Sequence, residues 1–202
     1  MDNVITDKRL AKFARVAAAR QEMTVIIENV HDPHNIGAVM RTCDSVGIQE
    51  LYILYTEAHL DGERLDHVQG SATGVRKWLH IHVFYDVEEC FAAVKNKYDT
   101  VLATHLDHEG KSLYDLELTG KVALLFGNEH AGLSEAALSH SDGNFIIPQH
   151  GMVNSLNISV ACAVTLYEAS RQRQAKGLYE TEQENKHLVE HYVAQHNKRY
   201  LR

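Results

Sequence analysis

The chain has 202 residues, 20 basic and 27 acidic, for a net charge of −7, and 45% of them are hydrophobic. That length fits one compact domain with a short appendage, and the apolar share suffices for a buried core, which excludes disordered and fibrous classes. No apolar run nears the roughly 20 residues of a membrane helix, charges sit where a secretory leader would be apolar, and Cys43, Cys90 and Cys162 are too scattered for a disulfide frame or a CxxC metal site. The expectation is a cytoplasmic protein with no membrane contact and no metal.

Residues 1–23 are read as an N-terminal segment built on an Ala-rich helix, KRLAKFARVAAAR. Lys8, Arg9, Lys12, Arg15 and Arg20 share an arc of roughly 140° on a helical wheel, and no acidic residue lies between them. Such a face is either merely solvated or, on an otherwise acidic chain, a contact for an RNA or DNA backbone. Over residues 24–174 short β-branched or apolar runs alternate with helical patterns. The runs are TVIIENV from Thr24, LYILY from Leu51, LHIHVF from Leu79, TVLATHL from Thr100, KVALLFG from Lys121 and NFIIP from Asn144. Helices are expected at about 36–46, 87–97, 134–140 and 155–174. Continuous apolar strands are buried on both faces, so the fold class is α/β, a mostly parallel sheet flanked by helices. The two prolines, Pro33 and Pro148, each follow a strand at a strand-to-helix junction. In open parallel sheets ligands bind at these carboxyl-end junctions. Residues 175–202 read as a polar, His-rich extension in which Leu188, Tyr192 and Val193 can dock one face of a last helix.

Three segments lie at such junctions. In HDPHNIGAVMRTCDSVG, Asn35 is a good N-cap and Ile36, Val39, Met40, Cys43 and Val46 recur at helical spacing as a buried stripe. Arg41 falls at the edge of that stripe, where it either solvates or reaches the mouth of the sheet. LLFGNEHAGLS is an apolar strand ending at Gly127, then a polar turn and Gly132. It is either an ordinary connection or a loop whose backbone amides face a ligand. Lacking the Gly-Lys-Ser/Thr ending of a phosphate loop and carrying Glu129, it disfavours a polyanion. In IIPQHGMVNSLNISVACAVTLYEASRQR, Pro148 and Gly151 punctuate a loop before a long helix capped by Asn154 or Ser155, with Leu156, Val160, Ala163, Val164 and Tyr167 as its core face. Asn157 and Ser159 in its first turns need partners, in the cap or in a substrate.

Two patterns point elsewhere and are set aside. HLVEH at 187–191 matches an H-x-x-E-H zinc pattern, but in a polar terminal helix with no third ligand. No G-x-G-x-x-G follows the first strand, which disfavours a dinucleotide fold.

Taken together, in this order and spacing, NVHDPHNIGAVMRTCDSVG, LLFGNEHAG and IPQHGMVNSLNISVACAVTLYEASRQR closely resemble the three motifs of the SPOUT superfamily of RNA methyltransferases, TrmH branch. The similarity runs from the basic N-terminal helix to about Tyr179. Within that branch the chain resembles the tRNA guanosine-18 2′-O-methyltransferases, with ribosomal RNA or another tRNA ribose, or a non-catalytic RNA-binding relative, as alternatives. The resemblance implies a deep C-terminal trefoil knot, a homodimer, S-adenosyl-L-methionine as cofactor, and methyl transfer to a ribose 2′-oxygen of an RNA substrate. By motif position it implies a catalytic Arg41 surrounded by Asn35, Glu129, Ser155 and Asn157. It also implies cofactor contacts near Thr104, Gly127, Ile147, Met152 and Leu156, and RNA contact through Lys8, Arg9, Lys12, Arg15 and Arg20. The chain departs from the family pattern at His130, Gln149, His150 and Asn154.

Overall fold

The computed structural model describes residues 5–57, 74–105, 110–128, 131–180 and 185–198. Its elements run α1 (Asp7–Ala18), β1 (Met23–Glu28), α2 (Pro33–Ser45), β2 (Glu50–Leu54), β3 (His80–Phe84), α3 (Val87–Lys95), β4 (Thr100–Thr104), β5 (Lys111–Ser112), β6 (Val122–Phe126), α4 (Glu135–Leu138), β7 (Gly143–Ile146), α5 (Ile158–Ala175) and α6 (Lys186–Asn197). The strands form one seven-stranded sheet in the order β3-β2-β1-β6-β4-β7-β5, and every pairing between the described strands is parallel. The six apolar runs of the sequence supply six of the strands. The two-residue β5 and the single helical turns at Arg76–Trp78 and Leu113–Asp115 are additional.

Central position explains the composition of β1 and β6, in which every residue is buried. On one face of the sheet, α2 and α5 bury Ile36, Val39, Met40, Cys43, Cys162, Leu166 and Ala169 against Val25, Ile27, Leu124 and Phe126. On the other, α3 and α4 bury Phe91, Val94 and Ala137 against Ile26, Ala103 and Leu125. A third, smaller core joins the ends of the chain, with Phe13 and Ala17 of α1 packed on Leu188 and Tyr192 of α6. Trp78 completes it, its ring centroid 5.7 Å from Phe13 and 5.6 Å from Tyr192.

Three local expectations are corrected. Asn35 does not cap α2: the helix begins at Pro33, and Asp32 is the cap, its carboxylate accepting from His34 N at 2.9 Å. Proline at the first helical position loses no intrahelical bond, which fixes the start there. Neither Asn154 nor Ser155 caps α5, because the backbone stays irregular until Asn157, whose Oδ1 accepts from Ser159 N at 2.9 Å and Ser159 Oγ at 2.6 Å. The expected core face of α5 is also the wrong one. Ile158, Cys162, Thr165, Leu166 and Ala169 face the sheet, while Val160 and Tyr167 are 46% and 58% exposed. The helix carries apolar residues on two sides, and periodicity does not say which side meets the sheet.

Guanidinium groups brace the amino end of the sheet. Arg173, 2% exposed, donates to Leu118 O at 3.0 Å, Gln21 Oε1 at 3.3 Å, Glu22 O at 3.4 Å and Gly120 O. One side chain thus ties α5 to the segments entering β1 and β6. Arg20 lies beyond the last residue of α1 and donates to Tyr192 Oη at 2.7 Å, Ile48 O at 2.8 Å and Asp44 Oδ1 at 2.8 Å. It therefore leaves the proposed RNA face: the helix stops before it, so the wheel does not extend to it, and its donors hold α6 and α2 together.

Candidate active site

The carboxyl ends of β6, β4 and β7 open onto a cavity of about 440 Å³. Thr104 and His105 end β4, Phe126 to Asn128 follow from β6, and Phe145 to Ile147 follow from β7. Gly132 and Leu133 form one wall, and Gln149, Asn154, Ser155, Leu156, Ile158 and Ala161 form another. No Asp, Glu, Lys or Arg lines it among the described residues.

Backbone proximity dictates glycine at position 127. A Cβ there would run into the backbone of Gly132 and sit 2.6 Å from Leu133 N, because the loop doubles back: Asn128 N donates to Gly132 O at 3.1 Å and Gly132 N to Asn128 O at 2.9 Å. Gly132 takes a φ of +70°, which glycine accepts without strain. Both ends of this wall are clasped from β1. The buried carboxylate of Glu28 accepts from Ser134 N at 2.9 Å and Ser134 Oγ at 2.6 Å, and Asn128 Nδ2 donates to Asn29 O at 2.8 Å. Asn29 has a left-handed φ of 53°, a conformation asparagine tolerates better than most residues. Sequence reasoning missed Glu28, Asn29 and Asn128. The available signal was a carboxylate and an amide closing an otherwise apolar strand.

Half of the ten residues expected at the catalytic and cofactor sites lie here. Thr104, Gly127, Ile147, Leu156 and Ser155 line the cavity, with Thr104 Oγ1 donating to Leu125 O at 3.2 Å. Asn157 Nδ2 donates to Asn35 Oδ1 at 3.2 Å across 122 positions, joining the first and third motifs. Arg41 is exposed on α2 and belongs to the same helix, six residues beyond Asn35 and outside the buried stripe. Met152 is 99% exposed and absent from the cavity lining, on the loop between β7 and α5. Glu129 and His130 lie outside the described residues.

The histidine pattern at 187–191 gathers no ligand set, and no group of three or more His, Cys, Asp or Glu able to hold a metal occurs among the described residues. His191 instead packs edge-on against His80, ring centroids 4.8 Å apart. Nor is a thiolate at hand. Its neighbour Cys43 and complete burial hold the Cys162 thiol well above its ordinary range, and burial pushes Cys90 up to about 12.

A partly backbone-walled cavity at the carboxyl edge of a parallel sheet, with no Asp, Glu, Lys or Arg among its described lining residues, is the place where α/β proteins of the ligand-binding class take up small molecules. Comparison with known proteins then narrows the class. Residues 22–167 match the SpoU rRNA Methylase family, and the chain belongs to that family. It is 40% identical over 176 residues to a tRNA (guanosine(18)-2'-O)-methyltransferase of Thermus thermophilus, covering 87% of this chain and 88% of that one. The crystal structure of the A. aeolicus TrmH/SpoU tRNA modifying enzyme matches with a TM-score of 0.79 at 32% identity, covering 93% of this chain and 97% of that one. AviRb of Streptomyces viridochromogenes, a SpoU methyltransferase solved in complex with AdoMet, matches with a TM-score of 0.68 at 29% identity, covering 77% and 60%. No helix among the described residues is long and apolar enough to cross a membrane.

Proposed function

We propose that this chain is an S-adenosyl-L-methionine-dependent RNA ribose 2′-O-methyltransferase that acts on tRNA at guanosine 18, as a homodimer in the cytoplasm. The carrying observation is the Asn35–Asn157 hydrogen bond, which ties the start of the Arg41 helix to the segment that lines the cavity through Ser155, Leu156 and Ile158.

The residues present fit the cofactor. The cavity falls within the roughly 300–1,000 Å³ usual for such ligands, and Gly127, where a Cβ would meet the backbone of Gly132, leaves that wall bare of a side chain. Thr104, Gly127, Ile147 and Leu156 would hold the cofactor, which when bound supplies an activated methyl group on a sulfonium. Ribose oxygen is a poor nucleophile, so the chain's task is to hold the hydroxyl in line and stabilise charge that develops on it. Arg41 suits that second task. A guanidinium keeps its proton in proteins, so Arg41 acts as a fixed positive charge toward the emerging alkoxide or the adjacent phosphate, and the hydroxyl proton leaves to a phosphate oxygen or water. Asn35 and Asn157 set the position of the α2 and α5 amino ends around it.

Lys8, Arg9, Lys12 and Arg15 are all exposed on α1 and make the backbone contact to RNA. Support for the homodimer comes from the apolar residues left exposed on α5 and on the loop before it, Val160, Tyr167, Met152 and Val153. A second copy of the chain covers this surface.

Incubation with methyl-labelled cofactor and tRNA transcripts tests the proposal. Label is expected in tRNA, and none in a transcript carrying 2′-deoxyguanosine at position 18. Label entering ribosomal RNA alone would overturn the tRNA assignment, and tight RNA binding with transfer to no RNA would overturn the enzyme in favour of a binding module.

A further inference from the structure

Away from the cavity, the small core that joins the chain ends is bordered by two imidazoles. His191 of α6 stands edge-on to His80 of β3, ring centroids 4.8 Å apart and planes at 80°. Its neighbour Tyr192 packs on Phe13 and Trp78. His191 Nε2 is buried with no hydrogen-bond partner among the described residues, so a hydrogen on that nitrogen would meet no acceptor, which is costly inside a protein. Burial and then His191 hold the half-buried His80 imidazole below its ordinary range, with His82 and Lys97 acting the same way and Glu50 of β2 opposing them. Glu50 is already engaged, its Oε1 2.7 Å from Lys97 Nζ and 3.8 Å from His82 Nε2. Those two groups hold its carboxyl down to about 2, so its single negative charge is constant where histidine titrates and is offset by Lys97. The other charges at this core are Arg20, 5.7 Å from the Tyr192 ring centre and paired with Asp44 at 2.8 Å, and Lys77, 4.5 Å over Trp78. Glu190 on α6 is exposed, and His196 faces Phe13 at 6.0 Å.

We propose that the His80–His191 pair is a proton-controlled clasp: neutral, it holds α6 against the edge of the sheet, and charged, it releases α6 and opens the small core. Two cations at this separation repel, and the one carboxylate facing His80 is already balanced by Lys97. The docked helix binds fewer protons than the released one, so docking is complete above the ordinary histidine value of about 6.5 and is lost as pH falls below it. Release takes the cover of Tyr192 from Phe13 and Trp78 and leaves α1 without its packing partner. The clasp is independent of the reaction assigned to the cavity.

Trp78 is the only tryptophan of the chain and reports on this core directly. Its emission is followed on the full chain from about pH 8 to about pH 5, the span in which histidine is the side chain that ordinarily changes charge. On acidification the emission is expected to shift reversibly to longer wavelength and to become more quenchable by acrylamide. His191→Phe keeps a ring in place but takes up no proton, and is expected to retain its alkaline spectrum and quenching across the whole span. Wild-type emission and quenching that do not move would overturn the proposal. So would a transition in His191→Phe with the wild-type midpoint, which would mark general acid unfolding. His80→Phe carries the same test from the strand side if His191→Phe does not fold. His196→Gln is expected to keep the wild-type transition, and its disappearance there would assign the response to His196 and overturn the clasp.

Discussion

At the amino end of the sheet, Arg20 and Arg173 are nearly enclosed and their donors are spent on backbone carbonyls, an amide, a phenol and one carboxylate. At the carboxyl end, the cavity has walls without a formal charge among the described residues, and Arg41 is exposed on α2, the helix that starts there. The same functional group therefore serves two ends. Enclosed, it fastens elements together; exposed, it is open to the role proposed for it, meeting a substrate anion. A buried guanidinium is held in place by what it bonds, so its removal leaves several acceptors unsatisfied. An exposed one beside a reaction site contributes little to folding and much to the barrier.

That contrast can be broken at each end. Arg41→Ala is expected to lower kcat by roughly 10²–10³-fold, the range seen when one transition-state donor is removed, with an unchanged melting temperature. Arg41→Lys should fall well short of wild type because the forked geometry is lost, and near wild-type turnover would contradict the fixed-guanidinium role. Arg173→Met should do the opposite: about 3 kcal/mol of unfolding free energy lost, as for other buried charges whose partners are left behind, read by urea denaturation, with kcat at permissive temperature close to wild type. The smallest effect is expected on the basic face. Replacing Arg9 and Arg15 by Gln should weaken RNA binding and flatten its dependence on salt by about 0.7–0.9 per charge removed, with cofactor affinity intact. Unchanged RNA affinity would remove α1 from the interface.

Sequence pattern made the six main strands legible because the central ones are buried on both faces and carry few polar interruptions. It also placed the three motifs at strand ends, and four of the five residues expected at the cofactor do line the cavity. What it missed has definite causes. Asp32 and Asn35 are both good caps, and only Pro33 between them selects the first. Asn157 and Asn35 meet across 122 positions, which local spacing cannot reveal. Arg20 is grouped with its neighbours by a helical period that ends at Ala18, before reaching it.

The pairing of β1 with β6 has a bearing on how the molecule is made. Val25 lies opposite Leu124, and Met23 opposite Val122, so the middle of the sheet joins segments separated by most of the domain. During vectorial synthesis β1 and β2 can meet early, yet one long edge of β1 stays open until the β6 segment has cleared the ribosome exit tunnel, and contacts this distant in sequence form slowly. Through that interval a largely apolar strand has an unsatisfied side, which makes the nascent chain a natural client for chaperones that shield hydrophobic edges.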